Sequence, residues 1–486
     1  MRKRFEQQLV IGQLLIQDTE IPIAKRSGAL PGLCAALKEM FVTPKWNEQV
    51  FELLEAKILS KNNKTGRPGM DLWQMFVLSQ VRLCQNISYE ELHDLANHHR
   101  LIRQIMGIES DYGFPKQKIG YQTIIDNVSL LDDEVVKELN NIIVAFGHEV
   151  FKKKEAAALR LKTDSFVVES NVHFPTDYNL LWDSARKCID MITKLQKNHN
   201  LPGWRKIHDW RKDLKNKMRA LGRASASGGK GKEERISFAT KSYLTKANAL
   251  LQKLENSKAG FPQEDIADKV IVVELERFME LLQKHVDLLE RRVLKGEDIS
   301  HNEKIFSIFE QYTEWVTKGK MRPNVELGKK TTITTDQFNL IVDYQVMDHQ
   351  SDSEIVPELK DRLSCKYSIS SWSFDKGFWH KNNKVILSSV VETLVLPKKG
   401  KCNKEETAEQ KKNIFKKLRH KHSAIESNIN ELEHRGLNRC PDRSYKNFKR
   451  YIGLAVCAYN LRKIGAELIA QTRTLSLSYG REQVAA

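Results

Sequence analysis

Residues 159–174 read LRLKTDSFVVESNVHF, and the rest of the chain is parsed from this run. Apolar and polar residues alternate through LRLKTD at the period of a β-strand, and the β-branched pair Val167-Val168 continues it. A carboxylate, Asp164, sits where the run passes from apolar to polar. The pattern on both sides is helical. A strand set between long helical stretches predicts an α/β core interrupted by a helical insertion.

Residues 1–155 are predicted to form a helical N-terminal domain. PGMDLWQMFVLSQVRLC carries a broad apolar face behind Asp71, a candidate N-cap, and Ser88 with Glu91 three residues later is a capping box. Gly107 supplies a stop. Short helices joined by tight turns and carrying Arg100, Arg103 and Lys116 suit a helix-turn-helix-like reader of DNA. The alternative is a helical packing domain whose charges are merely solvated.

After the strand, residues 184–325 return to helical periodicity and read as the insertion, broken by ASASGGKGKEER at 224–235, a Gly-rich charged loop. Strand signals resume at TTITTDQFNLIVDYQVM (331–347), where Asp336-Gln337 separates two β-branched runs as a hairpin would. A short helix, SEIVPELKDRL, leads to the strand YSISSWSFDKGF and on to VILSSVVETLVL at 385–396, read as another strand. The core is therefore expected to comprise residues 156–183 and 326–470, with a tail at 471–486.

Three acidic residues end distinct local patterns: Asp164, Asp375 in SISSWSFDKGF, and Glu426 in HKHSAIESNINELEH. Two strands and one helix could aim these carboxylates at a common point, and hard divalent cations prefer such oxygen clusters. Taken singly, each has a structural alternative. Asp164 and Asp375 could cap turns, and Ser423-x-x-Glu426 could be a capping box. A box requires a helix to start there, yet Ile414, Leu418, Ile425, Ile429 and Leu432 keep one apolar face running past Ser423. Glu426 is thus expected inside a continuous helix, preceded by KKLRHKH, whose Lys416, Lys417, Arg419 and Lys421 could hold phosphates.

Composition narrows the function classes. Lys and Arg number 79 against 62 Asp and Glu in 486 residues, a net charge of +17, which favours a polyanionic partner. Seven scattered cysteines, none in C-x-x-C, argue against a disulfide framework or a zinc site and fit a reducing cytoplasm. His420, His422 and His434 read as members of the basic patch rather than as zinc ligands. No apolar run approaches a membrane span and no Walker-type loop implies ATP. Tyr459 lies on an apolar helical face, which favours core packing over a tyrosine nucleophile.

The segments DSFVVESNVHFPTDYNLLWDSARK, VDYQVMDHQSDSEIVPEL, SFDKGFWHKNN and HSAIESNINELEHRGLNRCPDRSYKNFKRYIGLAVCAYNLRKIG resemble bacterial insertion-sequence transposases of the DDE class, ISNCY-type. The stretch GRPGMDLWQMFVLSQVRLCQNISYEELHDLANHHRLIRQIMG is similar to their N-terminal domain, and the likeness covers most of residues 65–465. It implies an RNase H-like catalytic core with a large helical insertion, preceded by an all-helical DNA-binding domain. The catalytic and metal-binding triad would be Asp164, Asp375 and Glu426, holding two Mg²⁺ ions that Mn²⁺ could replace. The implied partners are double-stranded DNA, as terminal inverted repeats and target, and a second copy of the chain, in a cytoplasmic, nucleoid-associated setting. An RNase H-like nuclease that never joins strands, and a domesticated DNA-binding protein without activity, are the rival readings.

Overall fold

The computed structural model describes residues 4–5, 7, 14–23, 28–58, 69–109, 117–153, 157–262, 264–317 and 324–485. The chain divides into two units, one of residues 1–171 with 328–486 and the other of residues 172–327.

In the first unit, helices α1 (Ala29–Val42), α2 (Pro44–Ile58), α3 (Leu72–Gln85), α4 (Tyr89–His98), α5 (Arg100–Ile105), α6 (Tyr121–Val128) and α7 (Asp133–Val150) precede strand β1 (Leu159–Ser170). The Ser88 capping box is formed in full, and Gly107 has the left-handed backbone of a stop. The predicted helix between them is broken at His99, which begins α5.

The second unit holds α8 (Asp177–His199), α9 (Ile207–Ala226), α10 (Lys232–Ser257), α11 (Ile266–Leu289) and β2 (Glu314–Thr317). Its core of Leu181, Ile192, Tyr243, Leu250 and Leu282 is the apolar stripe that each long helix turns inward. The loop expected over 224–235 shrinks to Ser227–Gly231, because both flanking helices run into it. Arg235 closes the turn by donating to the carbonyls of Gly228 and Lys230.

The chain then adds β3 (Val325–Thr335), β4 (Ile341–Val346), α12 (Val356–Lys366), β5 (Ile369–Phe374), α13 (Lys381–Ser388), β6 (Val391–Val395), α14 (Lys404–Lys411), α15 (Asn413–Leu432), β7 (Arg439–Cys440) and α16 (Tyr445–Ala485). The run 385–396 is thus half helix, α13, and half strand, β6, since the strand begins only at Val391. Asp336 builds the β3–β4 turn by accepting from the amides of Phe338 and Leu340, so the connection is longer than the Asp336-Gln337 pair.

Five strands of the mixed, seven-stranded sheet lie in the order β4–β3–β1–β5–β6. β3 is antiparallel to β1 and β4, whereas β5 runs parallel to β1 and β6 parallel to β5. Parallel neighbours need crossovers, which α12 and α13 supply. β7 pairs with the far end of β1.

The alternation of LRLKTD and SSWSFD gives the sheet two unlike faces. Leu159, Leu161, Trp372 and Phe374 share a core with Ile355, Leu359 and Leu363, at and within α12, and with Leu387 of α13. Trp372 Nε1 donates to Thr163 Oγ1 at 2.8 Å on this face. The opposite face carries Lys162 and Asp164 on β1 and Ser373 on β5, with Asp375 just beyond the strand, and α15 packs across it.

The N-terminal helices do not form a separate body as the sequence suggests. α1 crosses α16 so closely that a Cβ on Gly465 would collide with the backbone of Gly32. Buried Asn460 of α16 donates to Asn140 Oδ1 of α7 and to the Ile341 carbonyl of β4, and accepts from the Ile341 amide. Arg82 of α3 pairs with Asp442 at 2.7 Å, both nearly buried. α16 itself runs through the expected tail. These contacts bind helices α1, α3 and α7 to the sheet and to α16 through close backbone packing and paired buried polar groups.

Candidate functional site

The paired register of β1 and β5 runs Lys162 with Ser373 and Thr163 with Phe374. Asp164 and Asp375 are the next residues on each strand, side by side on the face that α15 covers. His422 of α15 reaches that face, with Nδ1 3.0 Å from Ser373 Oγ. Two strand residues advance about 6.6 Å and four helical residues about 6 Å. Moving from the Lys162–Ser373–His422 level to the next therefore meets Asp164, Asp375 and Glu426 together.

Each carboxylate is released from the structural role that its sequence left open. Asp375 precedes a 3-10 turn, Lys376–Phe378, but its side chain makes no capping bond. Glu426 lies exposed inside the continuous α15, and Ser423 Oγ donates back to the His420 carbonyl instead of forming a box. Asp164 is mid-strand and half-buried, and among the described residues accepts only a short local bond from the Ser165 amide at 2.7 Å.

Electrostatics join these groups. Burial pushes the Asp164 carboxyl up to about 7, the Ser165 amide opposes the shift, and the charges of Asp375, Asp352 and Glu426 push it further up. An anion disfavoured by burial and by three other anions is relieved by a cation, and all four donors are hard oxygens suited to Mg²⁺ or Mn²⁺. Among the described residues, no three His, Cys, Asp or Glu side chains are drawn together as a closed metal-ligand set. The donor chemistry of the cluster nevertheless fits a divalent cation.

Asp352, in the turn before α12, was not singled out by its sequence. It accepts from Ser165 Oγ at 2.7 Å and pairs with Lys330 Nζ of β3 at 2.8 Å. A Cβ on Gly377 would stand 2.8 Å from its Oδ2, so glycine two residues after Asp375 keeps that approach open. Nothing local in DHQSDSE marks this residue, because its neighbours come from β1, β3 and the end of β5.

Comparison of the chain with protein-family models, curated proteins and solved structures finds no match in any of the three.

The basic candidates separate. Lys416, Lys417, Arg419 and Lys421 are all exposed along α15, ahead of Glu426. Arg100 is exposed at the start of α5, and Lys116 lies outside the described residues. Arg103 is a correction: its guanidinium is 1% exposed, bonded to Glu109 Oε2 at 2.6 Å and to the carbonyls of Ala96, Ile108 and Gln117. It joins α4, α5 and the approach to α6 and is too deeply buried to meet a phosphate. Arg103→Ala removes the cation that pairs with buried Glu109 and should cost about 3–5 kcal/mol of stability in a urea titration.

His422 is also reassigned. His420 and His434 are exposed, but His422 is sunk between α15 and β5, and burial lowers its pKa to about 4, against the pull of Asp375 and with Lys162 opposing protonation. It is a neutral spacer beneath the carboxylates and not one of the exposed basic side chains of α15. Because the folded pKa lies below the unfolded value, stability is complete above about pH 6.5 and falls as pH drops toward 4, by at most about 3 kcal/mol for this group. His422→Gln should flatten that acid slope in chemical denaturation at pH 4.5 and 7.

Tyr459 is core, as its helical face implies: it is 2% exposed and donates to Asn428 Oδ1 at 2.9 Å. All seven cysteines are free thiols. Among the described residues no helix is long and apolar enough to cross a membrane.

Proposed function

We propose that the chain is a DNA transposase of the DDE class, which holds the ends of its own element, cuts phosphodiester bonds there and joins the freed 3′ hydroxyl to target DNA. The observation that carries this reading is the common level of Asp164, Asp375 and Glu426 on one polar sheet face. The strand order β4–β3–β1–β5–β6, with β3 alone reversed among these five, supports an RNase H-like core. Its first acidic residue lies on the central strand and its second just past the parallel neighbour.

Asp164, Asp375 and Glu426 would hold a pair of Mg²⁺ ions. When bound, such a pair supplies activation of the attacking oxygen and charge relief at the leaving one. The chain's own residues do the positioning. β1 and β5 fix two carboxylates on a rigid sheet, and the His422–Ser373 contact sets the level of α15 and hence of Glu426. Lys416, Lys417, Arg419 and Lys421 would hold the phosphates of the strand approaching along that helix. Water is the nucleophile for cutting and the DNA 3′ hydroxyl for joining, so no covalent protein intermediate is required. Cutting two ends together would take at least a dimer on DNA.

Incubating the full chain with inverted-repeat DNA and Mg²⁺ tests the reading. Cut ends that then appear in joined products are expected. Cut ends alone would make the protein a nuclease without strand transfer, and intact DNA under saturating binding would make it a binding protein.

A further inference from the structure

We propose that a cavity inside the helical unit 172–327 takes a planar heteroaromatic ring, specifically a nucleobase extruded from DNA. The cavity has a volume of about 620 Å³, within the usual range for small-molecule sites. One wall is aromatic. Trp315 of β2 lies 5.5 Å from Phe174, 5.6 Å from Phe306 and 6.0 Å from His301, centroid to centroid. Phe174 remains 60% exposed, so this cluster has not buried itself as a core would.

A second observation is independent of the ring wall. His285 of α11 lines the cavity and is 2% exposed, yet among the described residues its Nε2 has no hydrogen-bond partner. Buried polar atoms are rarely left so, and each such atom costs stability unless a ligand or water meets it. Burial lowers the pKa of this imidazole to about 4, so near pH 7 it is neutral and presents one donor and one acceptor.

The charges around the cavity select the kind of ring. Arg292 is paired with Asp177, and the remaining formal charges of the lining, Lys304 and Asp298, are one of each sign, so the lining carries no net charge for a phosphate. Stacking surface, one neutral polar contact and no net charge describe a site for an uncharged base. Aromatic side chains bind unpaired bases in this manner, with little sequence preference. DNA as the source of the base rests on the function proposed above, whereas the ring site does not.

The test uses the full chain in EDTA, so that no cleavage occurs. Binding is compared for a duplex with one unpaired adenine, the same duplex with an abasic residue in its place, and free dAMP. The adenine duplex should bind at least tenfold more tightly than its abasic twin. Trp315→Ala should erase that preference and Trp315→Phe should keep most of it. His285→Leu should weaken the adenine duplex while raising Tm, because it removes an unpaired polar atom; a purely structural histidine would give a lower Tm and unchanged binding.

Equal binding of the two duplexes by the unmodified protein, or a preference that survives Trp315→Ala, overturns the proposal. Saturable dAMP binding that needs Trp315, without any preference between duplexes, overturns the extruded base as occupant. If neither duplex binds at all, the DNA reading of the whole protein fails. The ring site is then decided by dAMP alone, and absence of Trp315-dependent dAMP binding overturns it.

Discussion

Replacing Glu426 by glutamine should abolish the proposed DNA cleavage without lowering the melting temperature. The exposed side chain caps nothing, since Ser423 Oγ donates to His420 and α15 continues through both residues. Glutamine is nearly isosteric and a good helix former, so folding is unaffected. What is lost is one negative charge that, in the proposed mechanism, helps to hold the Mg²⁺ pair. A fall of at least a thousandfold in rate is expected, about 4 kcal/mol of transition-state stabilisation. Asp164→Asn and Asp375→Asn should match it.

Asp164→Asn should also raise Tm when no divalent ion is present. The ionised form of Asp164 is disfavoured near neutral pH by burial and by three neighbouring carboxylates. Added Mg²⁺ should raise the Tm of the unmodified protein and leave that of Asp164→Asn nearly unchanged. Rates from a gel assay and Tm by calorimetry check both halves, and an active Glu426→Gln protein would sink the triad.

Neutralising the cations of α15 has the second large effect. The variant Lys416→Gln, Lys417→Gln, Arg419→Gln, Lys421→Gln removes four exposed charges and no buried contact. Each lost phosphate contact lowers the slope of log affinity against log salt by about 0.9, so the slope should flatten by roughly 3 to 4. Between about 50 and 200 mM salt, the salt-induced loss of affinity then shrinks roughly a hundredfold. Arg100→Gln should change the slope by no more than about 1. An unchanged slope in the fourfold variant would move the DNA path away from α15.

Much of this site is legible in the chain because its elements carry local patterns. The alternation of LRLKTD and SSWSFD separates an apolar sheet face from one bearing Asp164 and Asp375, since side chains along a strand point alternately to either side. The apolar stripe of α15 is continuous through Ser423, which places Glu426 inside a helix before any fold is known. The capping box at Ser88 and the core position of Tyr459 rest on equally local signals.

Other features exist only in the folded chain. Asp352 reaches Asp164's neighbour Ser165 because β3 and β1 pair and bring Lys330 alongside. Arg103 and His422 look like basic surface residues in sequence, and packing decides otherwise: Glu109 and three carbonyls enclose the first, and Ser373 and α15 the second. The N-terminal helices read as a separate domain until α16, more than 300 residues later, crosses α1 at two facing glycines. Sequence periodicity records which side of an element is apolar, an i to i+4 property. Which partner covers that side, and which charged groups are thereby enclosed, depends on contacts between residues hundreds of positions apart.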